Sequence, residues 1–110
     1  MTLKEYIIQT RRTRPSFSEM DKKLAQAGMG LAGETGEVVD LIKKIIFQKK
    51  PLDKEKLKEE LGDIFWYLAY IIDILEISPE KILEDNINKL KIRYPYGFST
   101  KSANERRDIK

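Results

Sequence analysis

Residues 54–75 read KEKLKEELGDIFWYLAYIIDIL. Leu57, Leu61, Ile64, Leu68, Ile71, Ile72 and Leu75 recur at steps of three and four, the period that lines apolar side chains along one face of a helix. Asp53 stands immediately before the stretch, where a carboxylate can accept from the free N–H groups of a first helical turn. No part of it alternates with period two, so the stretch is a helix and not a strand.

The same pattern extends in both directions. Upstream, Leu24, Ala27, Leu31, Glu34, Val38, Leu41 and Ile45 keep the spacing. They predict one long helix, or two joined near Gly28–Gly33, ending before Pro51, with Ser18 and Asp21 as a candidate N-terminal cap. At the start, Thr2 with Glu5 three residues later forms a capping box ahead of Leu3, Tyr6 and Ile7. That helix should stop near Arg12, because Pro15 disfavours helical backbone at Arg14. Downstream, Ser78-Pro79-Glu80 supplies a cap, a proline at the first position and an acidic first turn. Ile82, Leu83, Ile87 and Leu90 follow, and Pro95 closes the segment. The expectation is an all-α chain: a four- to five-helix antiparallel bundle with short connections. Residues 1–100 form one domain and residues 101–110 a polar C-terminal tail. There is no internal repeat or low-complexity tract.

Composition narrows the chemistry. The 110 residues include no cysteine and no histidine. Disulfides, thiolate chemistry, the Ser-His-Asp triad and histidine-bearing zinc or di-iron sites are therefore excluded. A metal here must be held by oxygen, which favours Mg²⁺, with Mn²⁺ as a substitute. The net charge of +3 comes from the ends: residues 1–14 carry +3, residues 101–110 carry +2, and the stretch between carries −2. A nucleic-acid binder concentrates basic charge on a folded face, so no nucleic-acid partner is expected. The apolar run Ile64–Ile72 meets Asp73 and falls short of the ~20 residues a membrane span needs. The opening MTLKEYIIQTRR has no apolar stretch of the signal-peptide kind. A cytoplasmic location is the expectation.

Gly28-Met-Gly30-Leu-Ala-Gly33 matches the dinucleotide fingerprint G-x-G-x-x-G by letter, but that fingerprint follows a strand and this one follows the helical pattern SEMDKKLAQA. Close helix–helix approach at glycine explains it better. The chemistry sits in two other motifs, Glu34-Thr-Gly-Glu37 and Glu60-Leu-Gly-Asp63. Residues three apart lie on one side of a helix, so each motif presents two carboxylates together beside the apolar stripe. Each also spends a glycine, Gly36 or Gly62, which costs about 0.5–1 kcal/mol against alanine in a helix interior. Room for close packing or for a ligand would offset that. If the two helices pack antiparallel, four carboxylates face one another, an arrangement that repels itself without a cation.

The stretches GLAGETGEVVDLIKK, EELGDIFWYLAYI and NINKLKIRYPYGF resemble the MazG-like, all-α nucleoside triphosphate pyrophosphohydrolases. The family pattern is E-x-x-E, a spacer, then E-x-x-D; here 22 residues separate Glu37 from Glu60. The resemblance runs from about Leu24 to Phe98. The N-x-x-K-L-x-x-R-Y segment is matched at Asn86, Lys89, Leu90, Arg93 and Tyr94. The resemblance implies a helical core assembled as a homodimer or homotetramer. It implies cleavage of a nucleoside triphosphate between its α and β phosphates, giving a monophosphate and pyrophosphate. It also implies that Glu34, Glu37, Glu60 and Asp63 hold Mg²⁺, with Glu37 or Glu34 accepting the proton of the attacking water. Tyr67, Asn86, Lys89, Arg93 and Lys44 (or its neighbour Lys43) would contact substrate. Tyr6, Arg11, Phe17 and Met20 are candidates for base selection. A deoxynucleotide such as dCTP or dUTP, or a damaged nucleotide, is the expected substrate, and trimming of the nucleotide pool the expected role. A phosphoribosyl-ATP pyrophosphatase-like enzyme and a non-catalytic helical interaction module are the alternatives. The aromatic and isoleucine-rich run around Trp66 and Tyr70 exceeds what one thin bundle covers, which also favours self-association.

Overall fold

The computed structural model describes residues 1–109. Five α-helices account for most of them: α1 (Leu3–Thr10), α2 (Met20–Phe47), α3 (Lys54–Ile74), α4 (Pro79–Arg93) and α5 (Thr100–Glu105). Single 3₁₀ turns follow α1 at Arg11–Thr13 and α5 at Arg107–Ile109. No strand occurs among the described residues; one isolated bridge joins Pro95 and Gly97. Gly97 takes φ of +90°, a backbone that side chains resist. No helix among the described residues is long and apolar enough to cross a membrane. The chain is all-α, as its periodicity predicts.

Local capping places four of the five helix starts, α5 among them through Ser99, whose hydroxyl accepts from the Ser102 N–H. The side-chain oxygens of Thr2, Asp53 and Ser78 accept from the backbone N–H of Glu5, Lys56 and Lys81. The start of α2 differs from expectation. Glu19, not Ser18, is the N-cap residue, and its side chain accepts no capping hydrogen bond. The 28 residues of α2 run as one helix through Gly28–Gly33, about 42 Å at 1.5 Å per residue.

The contacts divide the chain into two compact units, Met1–Glu76 and a second beginning at Ile77. In the first, α2 and α3 form an antiparallel hairpin and α1 lies against α3. Its core is small: Ile7, Ala27, Ala69 and Tyr70 are its buried apolar residues. The Tyr70 hydroxyl donates to Gln26 Oε1 at 3.1 Å. The turn after α1 is pinned to α3 by charge. Arg11 donates to Asp73 through Nε and Nη2 at 2.8 and 2.9 Å. Arg14 reaches the same carboxylate and Thr10 Oγ1, and its guanidinium lies 4.9 Å from the Tyr70 ring centre. Trp66 Nε1 donates to Thr13 Oγ1 at 3.0 Å.

In the second unit, α4 packs with α5 and the last 3₁₀ turn. The stretch from 101 on, read as a polar tail, continues α5 to Glu105 and forms the 3₁₀ turn Arg107–Ile109, and Asp108 is its anchor. Its side chain is 1% exposed and is gripped by Arg93 and Arg106.

Candidate metal centre

The α2–α3 seam is a ladder of opposed residues. Glu37 on α2 interacts with Glu60 on α3. Glu34, one turn earlier, feels Glu60 and Asp63. Gly30, a further turn back, lies under the ring of Tyr67. Because the helices are antiparallel, the residue numbers of Glu37 with Glu60, Glu34 with Asp63 and Gly30 with Tyr67 add to the same total. The i, i+3 spacing of the first acidic motif and Glu60 of the second therefore become one gathering of carboxylates.

Glu34, Glu37 and Glu60 each offer an oxygen within 4.8 Å of the other two. Glu60 is 7% exposed, a rare position for a charged residue without compensation. Glu34 is half-buried and Glu37 exposed. Oε2 of Glu34 and Oε2 of Glu60 are both buried without a hydrogen-bond partner. Burial, a hydrogen bond with Glu60 and the charges of Glu37, Asp63 and Glu60 push the Glu34 carboxyl up to about 7. Glu37 is also raised, chiefly by its hydrogen bond with and the charge of Glu60. Glu60 is lowered, first by the hydrogen bond from Glu37 and then by those from Glu34 and Lys56. The repulsion falls unequally on the cluster: the proton affinity of Glu34 and Glu37 is raised and that of Glu60 lowered. A divalent cation with oxygen preference fits this donor set: three converging carboxylates, two orphaned oxygens, and no nitrogen or sulfur ligand in the chain.

Asp63 stands outside the mutual 4.8 Å spacing of the other three. It is exposed, and its charge helps raise the Tyr6 hydroxyl after the larger effect of burial. Lys44, one turn past Asp40, is paired with it at 2.8 Å, and Lys43 reaches the same carboxylate at 3.5 Å. A groove of about 520 Å³ beside the carboxylates is lined by Gly33, Gly36, Glu37, Asp40, Lys44, Lys56 and Glu60 among others. A Cβ at Gly33 or Gly36 would meet nothing within 4 Å. Lys56, which the sequence pattern did not single out, sits 3.5 Å from Glu60 Oε1; its position one turn before Glu60 was the available signal.

The remaining candidates are dispersed. Tyr6 lines a cavity of about 300 Å³ with Gly62 and Phe65. Phe17 and Met20 line another of about 340 Å³ beside Arg14, Tyr70 and Asp73. Arg11 is held by Asp73. Asn86, Lys89 and Arg93 follow one another at helical spacing on α4. Arg93 is committed to Asp108 by two 3.0 Å hydrogen bonds.

The chain is all-helical, and its two antiparallel helices α2 and α3 bring Glu34, Glu37 and Glu60 together. Residues 23–98 match the model of the MazG nucleotide pyrophosphohydrolase domain, and the chain belongs to that family. The Gene 37 protein of Mycobacterium phage L5 is 33% identical over 87 residues, covering 76% of each chain. No solved structure matches the chain.

Proposed function

We propose that this chain is a Mg²⁺-dependent nucleoside triphosphate pyrophosphohydrolase that cleaves a triphosphate, preferentially a deoxynucleotide, to the monophosphate and pyrophosphate. Its role would be to trim the cytoplasmic nucleotide pool. The observation that carries the reading is the pair of buried, unpartnered oxygens of Glu34 and Glu60 inside a three-carboxylate cluster in a MazG-family chain.

Glu34, Glu37 and Glu60 hold the cation, and Asp63 completes the set from one turn further along α3. Bound there, Mg²⁺ supplies charge neutralisation for the phosphates and acidifies water. Glu37 or Glu34 would accept a proton from water attacking the α phosphorus in line, with pyrophosphate leaving. Lys44 and Lys56 border the groove next to the carboxylates and would meet phosphate oxygens there. Tyr67 borders the opposite end of the motif pair. Asn86 and Lys89 on α4 remain candidates for substrate contact, whereas Arg93 is held by Asp108. Exposed apolar residues on α2 and α3, among them Met29, Val39, Ile42, Leu61, Phe65 and Leu68, support assembly as a homodimer or homotetramer.

A panel of ribo- and deoxynucleoside triphosphates, assayed for pyrophosphate and phosphate with and without Mg²⁺, tests the reading. Mg²⁺-dependent release of pyrophosphate supports it. Absence of pyrophosphate from every nucleotide overturns it in favour of a non-catalytic helical module.

A further inference from the structure

The three glycines of Gly28-Met-Gly30-Leu-Ala-Gly33 are not equivalent. A Cβ built on Gly28 or Gly33 meets nothing within 4 Å. A Cβ on Gly30 would clash with the Tyr67 ring, lying 2.7 Å from Cδ1 and nearer still to Cε1 and Cζ. The obstructing atoms belong to a planar ring, and that ring is itself backed edge-on by Trp66 at 5.0 Å between centres. Trp66 is in turn anchored to Thr13. Either the ring leaves the seam or α2 and α3 move apart.

Gly30 precedes Glu34 by one turn, and Tyr67 follows Asp63 by one turn. Their contact is the next rung of the ladder that brings the carboxylates together. Mg²⁺ demands near-ideal geometry at ~2.0–2.1 Å from its oxygens, so small changes in helix separation at this rung reach the ligands directly. We propose that Gly30 is the seat for the Tyr67 ring, and that this contact is a spacer setting the α2–α3 separation at which Glu34, Glu37 and Glu60 converge. The inference rests on the metal reading above. Gly30 acts here as a positioning residue, through Tyr67, and touches neither cation nor substrate.

The test measures Mn²⁺ binding by calorimetry and electron paramagnetic resonance, with far-UV circular dichroism on the same samples. The proteins are the wild type, Gly30→Ala, Tyr67→Leu and the Gly30→Ala/Tyr67→Leu double variant. Gly30→Ala should keep its helix content and bind Mn²⁺ at least about tenfold more weakly, the range seen when groups that orient metal ligands are altered. The double variant, with the ring removed, should recover to the affinity of Tyr67→Leu alone. Wild-type affinity in Gly30→Ala overturns the spacer, as does a double variant no better than Gly30→Ala. Should Gly30→Ala fail to fold, the double variant decides: folded and binding supports the contact, unfolded overturns it. If the wild type itself takes up no Mn²⁺, the metal reading falls and the spacer with it. A wild type that binds beside an unaffected Gly30→Ala removes the spacer alone.

Discussion

Glu34 and Glu60 come together across the α2–α3 seam with one oxygen of each buried and lacking a partner. Buried carboxylates that close cannot all ionise cheaply. Ala27, Ala69 and Tyr70 are buried on the same two helices, two to three turns away. A function that draws on charge concentration explains why α2 and α3 keep such a costly feature.

Removing one of these charges should stabilise the metal-free protein and weaken its response to metal. Glu34→Gln in EDTA is expected to melt at or above the wild-type temperature. Saturating Mg²⁺ at about 100 times its dissociation constant adds about 2.7 kcal/mol to a protein that binds it only when folded. The wild type should gain such a shift and Glu34→Gln should not. Thermal melts of both proteins, with EDTA and with Mg²⁺, check this.

Glu37 is the exposed member of the cluster and lines the groove. Glu37→Gln should leave the circular dichroism spectrum unchanged and lower kcat by ~10²-fold or more, the usual contribution of a positioned acid or base. Steady-state kinetics on the best nucleotide of the panel reads this, and full activity would remove Glu37 from the site.

Asp73 governs the acid limb of stability. The Arg11 hydrogen bonds and, after them, Arg14 hold its carboxyl down to about 2, against an ordinary value near 3.8. A depressed carboxylate stabilises the fold above its unfolded value, and the stabilisation is lost as pH falls from about 4 to about 2. Arg11 is more than half exposed, which screens the pair and leaves a contribution of roughly 1–2 kcal/mol. Asp73→Asn should lower the melting temperature at pH 7 and lose the difference from wild type near pH 2. Denaturant titrations at pH 7, 4 and 2 measure it.

Asp108 ties the end of the chain to α4. Its carboxyl is held far below the usual range by Arg93 and then Arg106. Asp108→Asn should speed amide hydrogen exchange at Arg106 and Ile109, whose N–H groups close the last turns onto Ser102 and Arg106. Exchange in α2 and α3 should not change. Hydrogen-exchange mass spectrometry separates the two regions.

Features set by neighbours in sequence were legible, and features set by distant contacts were not. The caps at Thr2, Asp53 and Ser78 could be read because each side chain bonds a backbone N–H three residues on. The start of α2 could not, because Glu19 caps it without a side-chain hydrogen bond and the local preference at Ser18 pointed one residue early. Glycine-mediated approach was readable as a type of contact within Gly28–Gly33. That it falls on Gly30 depends on Tyr67, 37 positions away. The acidic doublets were visible from their i, i+3 spacing. That Glu34, Glu37 and Glu60 close on one another while Asp63 stands apart depends on packing between two helices, which spacing within one helix does not record. The partner of Arg93 lay in a polar stretch without periodicity, where nothing distinguishes Asp108 from a solvated charge.

The most direct measurement is calorimetric titration of Mg²⁺ in the presence of a triphosphate analogue that cannot be cleaved between its α and β phosphates. The wild type and a Glu34→Gln/Glu60→Gln variant are compared. Saturable uptake by the wild type, lost in the variant while its helix content is retained, is the predicted result. No uptake by the wild type, or equal uptake by both proteins, would contradict a cation held between these two helices.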